Sequence, residues 1–216
     1  MKKIIFPTAD YHADTAILAN GEFPTHALPL SILQNAAYLV CCDGATNQLL
    51  QHTDRLPDAI VGDCDSISPE NRQRFSDIIH CIPEQETNDQ TKAVNFCLSR
   101  GRLKITILGA TGRREDHTIG NVSLLAKYLA IPGTEIQMIT DHGIFVAINT
   151  DAEFESFAGQ QVSIFNMGGA SVSSQNLKYP LAQHSFSNWW QGTLNESLSE
   201  TFQLTTDNCI VVFLSF

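Results

Sequence analysis

Apolar and polar positions change rhythm along this chain. In the first part, short apolar runs alternate with segments of helical spacing. Residues 16–19 form a strand-like run that ends at Asn20-Gly21. Residues 30–36 predict a helix. Residues 38–42 read as a buried strand running into Asp43-Gly44, and 45–52 suit a short helix. Residues 59–61 read as a strand that stops at Gly62-Asp63. Ser68 as N-cap, with Pro69 at the first helical position, opens a helix over 69–75. Residues 78–82 read as a strand. In 89–99, Val94, Cys97 and Leu98 share a helical face, and Gly101 follows as a stop. A strand over 105–108 ends at Gly109. A helix over 117–130 carries Val122, Leu125, Ala126 and Leu129 on one face.

This alternation predicts an α/β fold: a Rossmann-like, mostly parallel sheet with helices on both faces. The rhythm changes after Ile131-Pro132-Gly133. Strand-like runs at 136–139, 144–148, 162–165, 170–173, 202–205 and 210–214 follow, separated by Gly, Asn, Asp and Ser. They predict an all-β domain, a sandwich or barrel. The expected division is 1–133 for the α/β domain and 134–216 for a β-sandwich, and 136–139 is open to assignment as the last strand of the first sheet.

Composition fits a folded chain. Hydrophobic residues make up 43% and charged residues 17%, against about 25% charged in an average soluble domain. Thirteen Lys+Arg against 23 Asp+Glu give a net charge of −10, which disfavours nucleic acid and anionic membrane surfaces as partners. Met1-Lys2-Lys3 is followed by three apolar residues before Pro7, too few for a signal peptide. The longest apolar runs, 36–42 and 209–214, fall far short of the roughly 20 residues that span a bilayer. The six cysteines form no Cys-x-x-Cys pair. They are expected as buried free thiols of a cytoplasmic protein.

In open α/β sheets, ligands bind beyond the carboxyl ends of the strands. Four turns at such ends carry unusual residues: Asn20-Gly21-Glu22, the 43–47 turn, Gly62-Asp63-Cys64-Asp65-Ser66, and 109–117. A fifth segment, Asn88-Asp89-Gln90-Thr91-Lys92, starts a helix. Two carboxylates about 4 Å apart repel by about 4 kcal/mol at an effective dielectric near 20. A hard divalent cation relieves this, and Mg²⁺ prefers oxygen ligands. Asp63 and Asp65 are one such pair, or else turn and N-cap residues. With Asp43 and Asp89 at the same sheet edge, four carboxylates favour a metal site. Lys92, three residues after Asp89, either pairs with it on the surface or reaches phosphate oxygens. Arg113 and Arg114 precede a helix N-terminus in a Gly-containing loop, a setting for an anion. No Gly-Lys-Ser/Thr closes that loop, so it is not a Walker A motif.

Five motifs then carry a resemblance. They are Ala19-Asn20-Gly21-Glu22; Asp43-Gly44-Ala45-x-Asn47; Pro57-Asp58-x-Ile60-x-Gly62-Asp63-x-Asp65-Ser66; Asn88-Asp89-x-x-Lys92-Ala93; and Leu108-Gly109-Ala110-Thr111-Gly112-x-Arg114-x-Asp116-His117-x-x-x-Asn121. In this order, with Leu177-Lys178-Tyr179-Pro180-Leu181 and Asn195-Glu196 in the β-rich part, they resemble the thiamine pyrophosphokinase family over nearly the whole chain. The resemblance implies an ATP:thiamine diphosphotransferase, an α/β domain joined to a thiamine-binding β-sandwich, and a homodimer with active sites at the interface. Asp63, Asp65 and Asp89 would hold Mg²⁺, and Asp43 would assist at the metal or the substrate. Lys92, Thr111, Arg114, Asp116, His117 and Asn121 would surround ATP, with Asn20, Gly21, Gly44 and Asn47 at the same edge. Asn195 would lie near thiamine.

Two departures stand out. Leu194 occupies a position where the family often has Ser, and Ala45 replaces a Gly. Trp189 and Trp190 are candidates for stacking on a cationic thiazolium, or for burial in the sandwich or a dimer contact. Asp-x-Asp after an apolar strand also resembles the nucleophile loop of haloacid-dehalogenase-type phosphatases, in which Asp63 would form an aspartyl phosphate. A non-catalytic thiamine or nucleotide sensor is a third reading, opposed by the retention of every metal and phosphate candidate.

Overall fold

The computed structural model describes residues Met1–Phe216. Two compact units are present. One comprises Ala9–Leu124 and Gly133–Asp141; the other comprises Met1–Thr8, Leu125–Pro132 and His142–Phe216. Strand β1 (Lys2–Ile4) belongs to the second unit. The α/β elements follow: β2 (Thr15–Leu18), α1 (Ala27–Asn35), β3 (Leu39–Cys42), α2 (Ala45–His52), β4 (Ala59–Gly62), α3 (Pro69–Arg74), β5 (Ile79–Cys81), α4 (Asp89–Ser99), β6 (Lys104–Leu108), α5 (Glu115–Leu129) and β7 (Glu135–Ile139). No helix is long and apolar enough to cross a membrane.

In the α/β unit the strand order is β7-β6-β2-β3-β4-β5, and every neighbouring pair is parallel. All residues of β2, β3 and β4 are buried. Successive side chains point to opposite faces, so both faces are covered, and such strands read as unbroken apolar runs. Helix α1 packs on β2, α2 on β3, and α4 on β2, β3 and β4. Residues 136–139 belong to this sheet, with Ile136 opposite Ile105. Helix α1 starts three residues before the expected position. His26 caps it through Nδ1, which accepts from the Leu28 N–H at 3.3 Å, and Pro29 falls in the first turn, where a missing N–H costs nothing.

The strand sequence reverses at β2. β3, β4 and β5 lie on one side of it, and β6 and β7 on the other. Such a reversal opens a crevice at the carboxyl ends of the strands. Because these strands are parallel, the loops after β2, β3, β4 and β6 all leave from that one edge.

The second unit adds β8 (Gly143–Ile148), β9 (Ala152–Glu155), β10 (Gln161–Asn166), β11 (Val172–Gln175), a 3₁₀ turn (Trp189–Gly192), β12 (Asn195–Glu196), β13 (Thr201–Thr206) and β14 (Ile210–Ser215). One array runs β1-β9-β13-β11 and the other β12-β10-β14-β8. All pairings are antiparallel except β1 with β9. Phe154 and Phe202 face each other across β9 and β13 and stack at 4.8 Å, inside a core that includes Val162, Ile164 and Val212.

The expectation of six free thiols is corrected. Cys64 and Cys81 form a disulfide, while Cys41, Cys42, Cys97 and Cys209 are free. Parallel pairing sets Cys81 opposite Gly62 at the end of β4. That register brings the Cα atoms of Cys64 and Cys81 within 5.6 Å, inside the range a disulfide spans.

Candidate active site

Asp43 follows β3, and Asp63 and Asp65 follow β4. One carboxylate oxygen from each lies within 4.8 Å of the other two. Asp43 is buried; its Oδ2 accepts from the Ser66 N–H at 2.7 Å, and its Oδ1 is buried with no hydrogen-bond partner. Gln85 Nε2 donates to Asp63 Oδ2 at 3.1 Å, and the Asp65 N–H donates to Asp63 Oδ1 at 3.3 Å. Ser66 Oγ donates to Asp65 Oδ1 at 2.6 Å.

Asp89 opens α4, where the Asn88 side chain caps the helix by accepting from the Thr91 N–H. Lys92 lies one turn on. Its side chain is only 2% exposed, and Nζ is 3.6 Å from Asp89 Oδ1. Gly62 separates the two carboxylates: a Cβ there would sit 2.6 Å from Asp43 Cβ and 3.3 Å from Asp89 Oδ1. Only a residue without a side chain permits that approach.

Burial pushes the Asp43 carboxyl above its ordinary range; the Ser66 N–H opposes this, and the charges of Asp89, Asp63 and Asp65 add to it. Burial also raises Asp89, against the pull of Lys92. The Gln85 hydrogen bond holds Asp63 below the usual range. An orphaned buried oxygen among three converging carboxylates fits a hard divalent cation. The resemblance implied Asp63, Asp65 and Asp89 as ligands. The cluster within 4.8 Å contains Asp43, and Asp89 stands across Gly62 beside Lys92.

The loops after β2 and β6 are joined by backbone bonds, from the Gly21 N–H to Gly109 O and from the Glu22 N–H to Thr111 O, both at 2.7 Å. A Cβ on Gly21 would lie 2.5 Å from both Gly109 O and Thr111 O, so the crossing excludes a side chain. Asn20 Oδ1 accepts from Gln48 Nε2 at 2.8 Å and from Arg113 Nη1 at 3.4 Å, and Gly44 abuts the Asn20 amide.

Asn47 holds the acidic loop. Its Nδ2 donates to Ser66 O at 3.0 Å, and its Oδ1 accepts from the Ser68 N–H and from Asn71 Nδ2. Asn121 Nδ2 donates to Ala110 O at 2.8 Å, and its Oδ1 accepts from Asn88 Nδ2 at 2.9 Å. Arg114 makes a two-bond pair with Asp116, with Nε 3.0 Å from Oδ1; both side chains are exposed. The His117 N–H donates to Asp116 Oδ1, and His117 is exposed. Sequence reasoning missed Gln48, Gln85 and Ser66 as partners of site residues. Asn88 was legible as part of a segment that starts a helix, but neither as its N-cap nor as a partner of Asn121.

In the second unit, buried Asn195 clamps the backbone of Tyr179. Its Oδ1 accepts from the Tyr179 N–H at 3.1 Å, and its Nδ2 donates to Tyr179 O at 2.8 Å. Leu194 is exposed and adopts φ +61°. The Trp189 indole N–H donates to Asn166 O. Trp190 is 73% exposed, which excludes burial within this unit.

Residues 30–138 match the family model described as Thiamin pyrophosphokinase, catalytic domain, and 143–213 match Thiamin pyrophosphokinase, substrate-binding domain. The chain is 28% identical over 244 residues to Thiamine pyrophosphokinase 1 of Oryza sativa subsp. japonica, covering 97% of this chain and 90% of that relative. It is 29% identical over 150 residues to Thiamin pyrophosphokinase 1 of Caenorhabditis elegans, covering 65% and 61%. Among solved structures, thiamin pyrophosphokinase from Candida albicans superposes with a TM-score of 0.84 at 19% identity, covering 100% of this chain and 92% of that one. Thiamine pyrophosphokinase from Bacillus subtilis gives 0.76 at 20% identity, covering 93% and 97%.

Proposed function

The chain belongs to the thiamin pyrophosphokinase family, and we propose how its residues perform that family's reaction. The activity is transfer of the pyrophosphoryl group of ATP to the thiamine hydroxyl, giving thiamine diphosphate and AMP. The observation that carries our assignment is the orphaned Asp43 Oδ1 among three converging carboxylates at the edge of the parallel sheet. We assign this α/β unit to ATP and the metal, with Asp43, Asp63 and Asp65 holding Mg²⁺ and Asp89 completing the acidic edge. Bound Mg²⁺ neutralises and orients phosphate oxygens.

The remaining roles belong to the chain's own groups. Lys92 meets phosphate oxygens from its buried position on α4. Arg114, with the N-terminus of α5, supplies further donors to the phosphates. Asp116 and His117 flank that loop. Asn20, Gly21, Gly44, Asn47, Thr111 and Asn121 set the shape of the nucleotide site. The thiamine hydroxyl oxygen attacks the β-phosphorus and gives up its proton to solvent, the bond from that phosphorus to the oxygen bridging it to the α-phosphorus breaks, and AMP leaves. Such transfers rest on positioning and charge neutralisation. The inventory suits this, because no nucleophilic triad is required. We further assign the β-rich unit as a sandwich that takes thiamine near Asn195 and pairs two chains into a cytoplasmic homodimer with active sites at the interface.

AMP release from ATP and Mg²⁺, with and without thiamine, tests the reading. Thiamine-dependent AMP and thiamine diphosphate are the expected products. Inorganic phosphate without thiamine dependence would instead support the Asp63 phosphohydrolase.

The cation has a second signature. A carboxyl raised in the folded state adds stability below its unfolded pKa and loses that contribution as pH rises through its folded pKa. Asp43 and Asp89 are both raised, so the metal-free fold gives up stability towards neutral pH, where a cation relieves the repulsion. At 100 times its Kd a ligand adds about 2.7 kcal/mol, or about 5–10 °C in a chain of this size. Mg²⁺ is expected to raise Tm by that amount at pH 7 and by far less at pH 4. The absence of any shift at pH 7 would count against the cluster.

A further inference from the structure

We propose that the Cys64–Cys81 pair is a thiol–disulfide exchange site that takes a dithiol reductant and thereby sets the cation affinity of the acidic loop. The inference rests on reading Asp43, Asp63 and Asp65 as a divalent-cation site. Cys64 lies between two of these carboxylates in sequence and adopts φ +69°, a left-handed conformation that a non-glycine residue holds only under constraint. Its side chain is buried against Ile60, Ile67 and Phe75. The disulfide ties it to Cys81, the last residue of β5. One residue before the half-cystine is Asp63, and one after it is Asp65, whose N–H bonds Asp63 Oδ1. The cross-link therefore holds the bend that turns both carboxylates towards Asp43.

The two sulfurs differ in access. Cys64 is buried, whereas Cys81 is exposed, with Arg72 Nη2 3.9 Å from its Sγ. Disulfides exposed in this way are the labile ones. A thiolate of the dithiol, drawn in by the Arg72 charge, attacks Cys81 Sγ, and the Cys64 sulfur leaves and takes a proton. The second thiol of the reductant then attacks the mixed disulfide and releases Cys81. The Cys64–Cys81 bond breaks as one S–S bond forms in the reductant. Two electrons and two protons pass to the protein, and the reductant is oxidised by the same amount. With Cys64 free of β5, nothing covalent holds its left-handed backbone, and the loop loses its preorganisation for the cation.

The test is Mn²⁺ binding, read by electron paramagnetic resonance without nucleotide. It compares the oxidised protein, the protein reduced with dithiothreitol and desalted, the protein reoxidised with glutathione disulfide, and Cys81→Ser. Alkylation and mass spectrometry count free thiols in each sample. Reduction is expected to weaken Mn²⁺ binding roughly tenfold, in line with the cost of holding a left-handed non-glycine residue. Reoxidation restores it, and Cys81→Ser keeps the weak value under both conditions. Equal affinity in the oxidised and reduced wild-type protein would overturn the exchange role and leave the cation site standing. So would a thiol count showing no disulfide after glutathione treatment. No Mn²⁺ binding in either form would overturn the cation site, and this inference with it.

Discussion

Asp63→Asn is expected to lower turnover at saturating Mg²⁺ on the order of 10³-fold, the scale set by losing a preorganised electrostatic contact to a transferring group. The substitution is nearly isosteric and removes one negative charge from the three-carboxylate cluster. Asp63 is only partly buried, and its hydrogen bonds come from Gln85 and the Asp65 N–H, so the fold is expected to survive. An unchanged circular-dichroism spectrum and a cooperative melt establish that survival. Near-normal turnover in a folded variant would take Asp63 out of the cation site. Asp43→Asn and Asp89→Asn, assayed beside it, separate the two carboxylates that flank Gly62. Weaker cation binding is expected from Asp43→Asn, whose Oδ1 lacks any other partner.

Lys92→Ala is expected to cost about 10²–10³-fold in kcat/KM for ATP. Sequence spacing alone permitted a solvated i,i+3 pair, worth about 0.2–0.5 kcal/mol. A side chain 2% exposed, 3.6 Å from a carboxylate that burial has itself raised, is a different object. A buried ammonium costs free energy unless charge compensates it, and phosphate oxygens at the sheet edge are suitable partners. Truncation also leaves Asp89 without its cation, so the measurement needs Lys92→Met as a volume-matched companion and a melt for each variant. A loss under about threefold in folded protein would remove Lys92 from the phosphate site and leave it as a buried partner of Asp89.

Much of the α/β unit was legible because its signals are local. Strands buried on both faces must be unbroken apolar runs, so TAIL, LVCC and AIVG announce themselves. The Ser68-Pro69 start and the Gly101 stop are likewise readable from neighbours. What stayed hidden depends on distant partners. Asn47 was legible as part of the candidate nucleotide edge, but not as the side chain that holds the 66–71 segment about 20 residues on through three hydrogen bonds. The bonds from Asn195 to the Tyr179 backbone were hidden in the same way. The disulfide had no sequence signature, because the β4–β5 register alone brings the two cysteines together. Strand β12 has two residues, too few to show alternation, and β9 alternates apolar and polar over only the four residues Ala152-Glu153-Phe154-Glu155.

Strand β1 carries a consequence for how the protein is made. Lys2–Ile4 pairs in parallel with Ala152–Phe154, and the Lys2 N–H reaches Asp151 O. Residues Lys2–Ile4 therefore wait for a partner about 150 positions further along the chain, while the intervening α/β unit has all its parallel strands in hand. Closing so long a loop is slow, so the β-rich unit is the last to complete. A fragment beginning at His142 would carry β9 with one side unpaired, an open edge that invites association with other chains. Expressing that unit alone calls for grafting the Met1–Thr8 segment back as a strand.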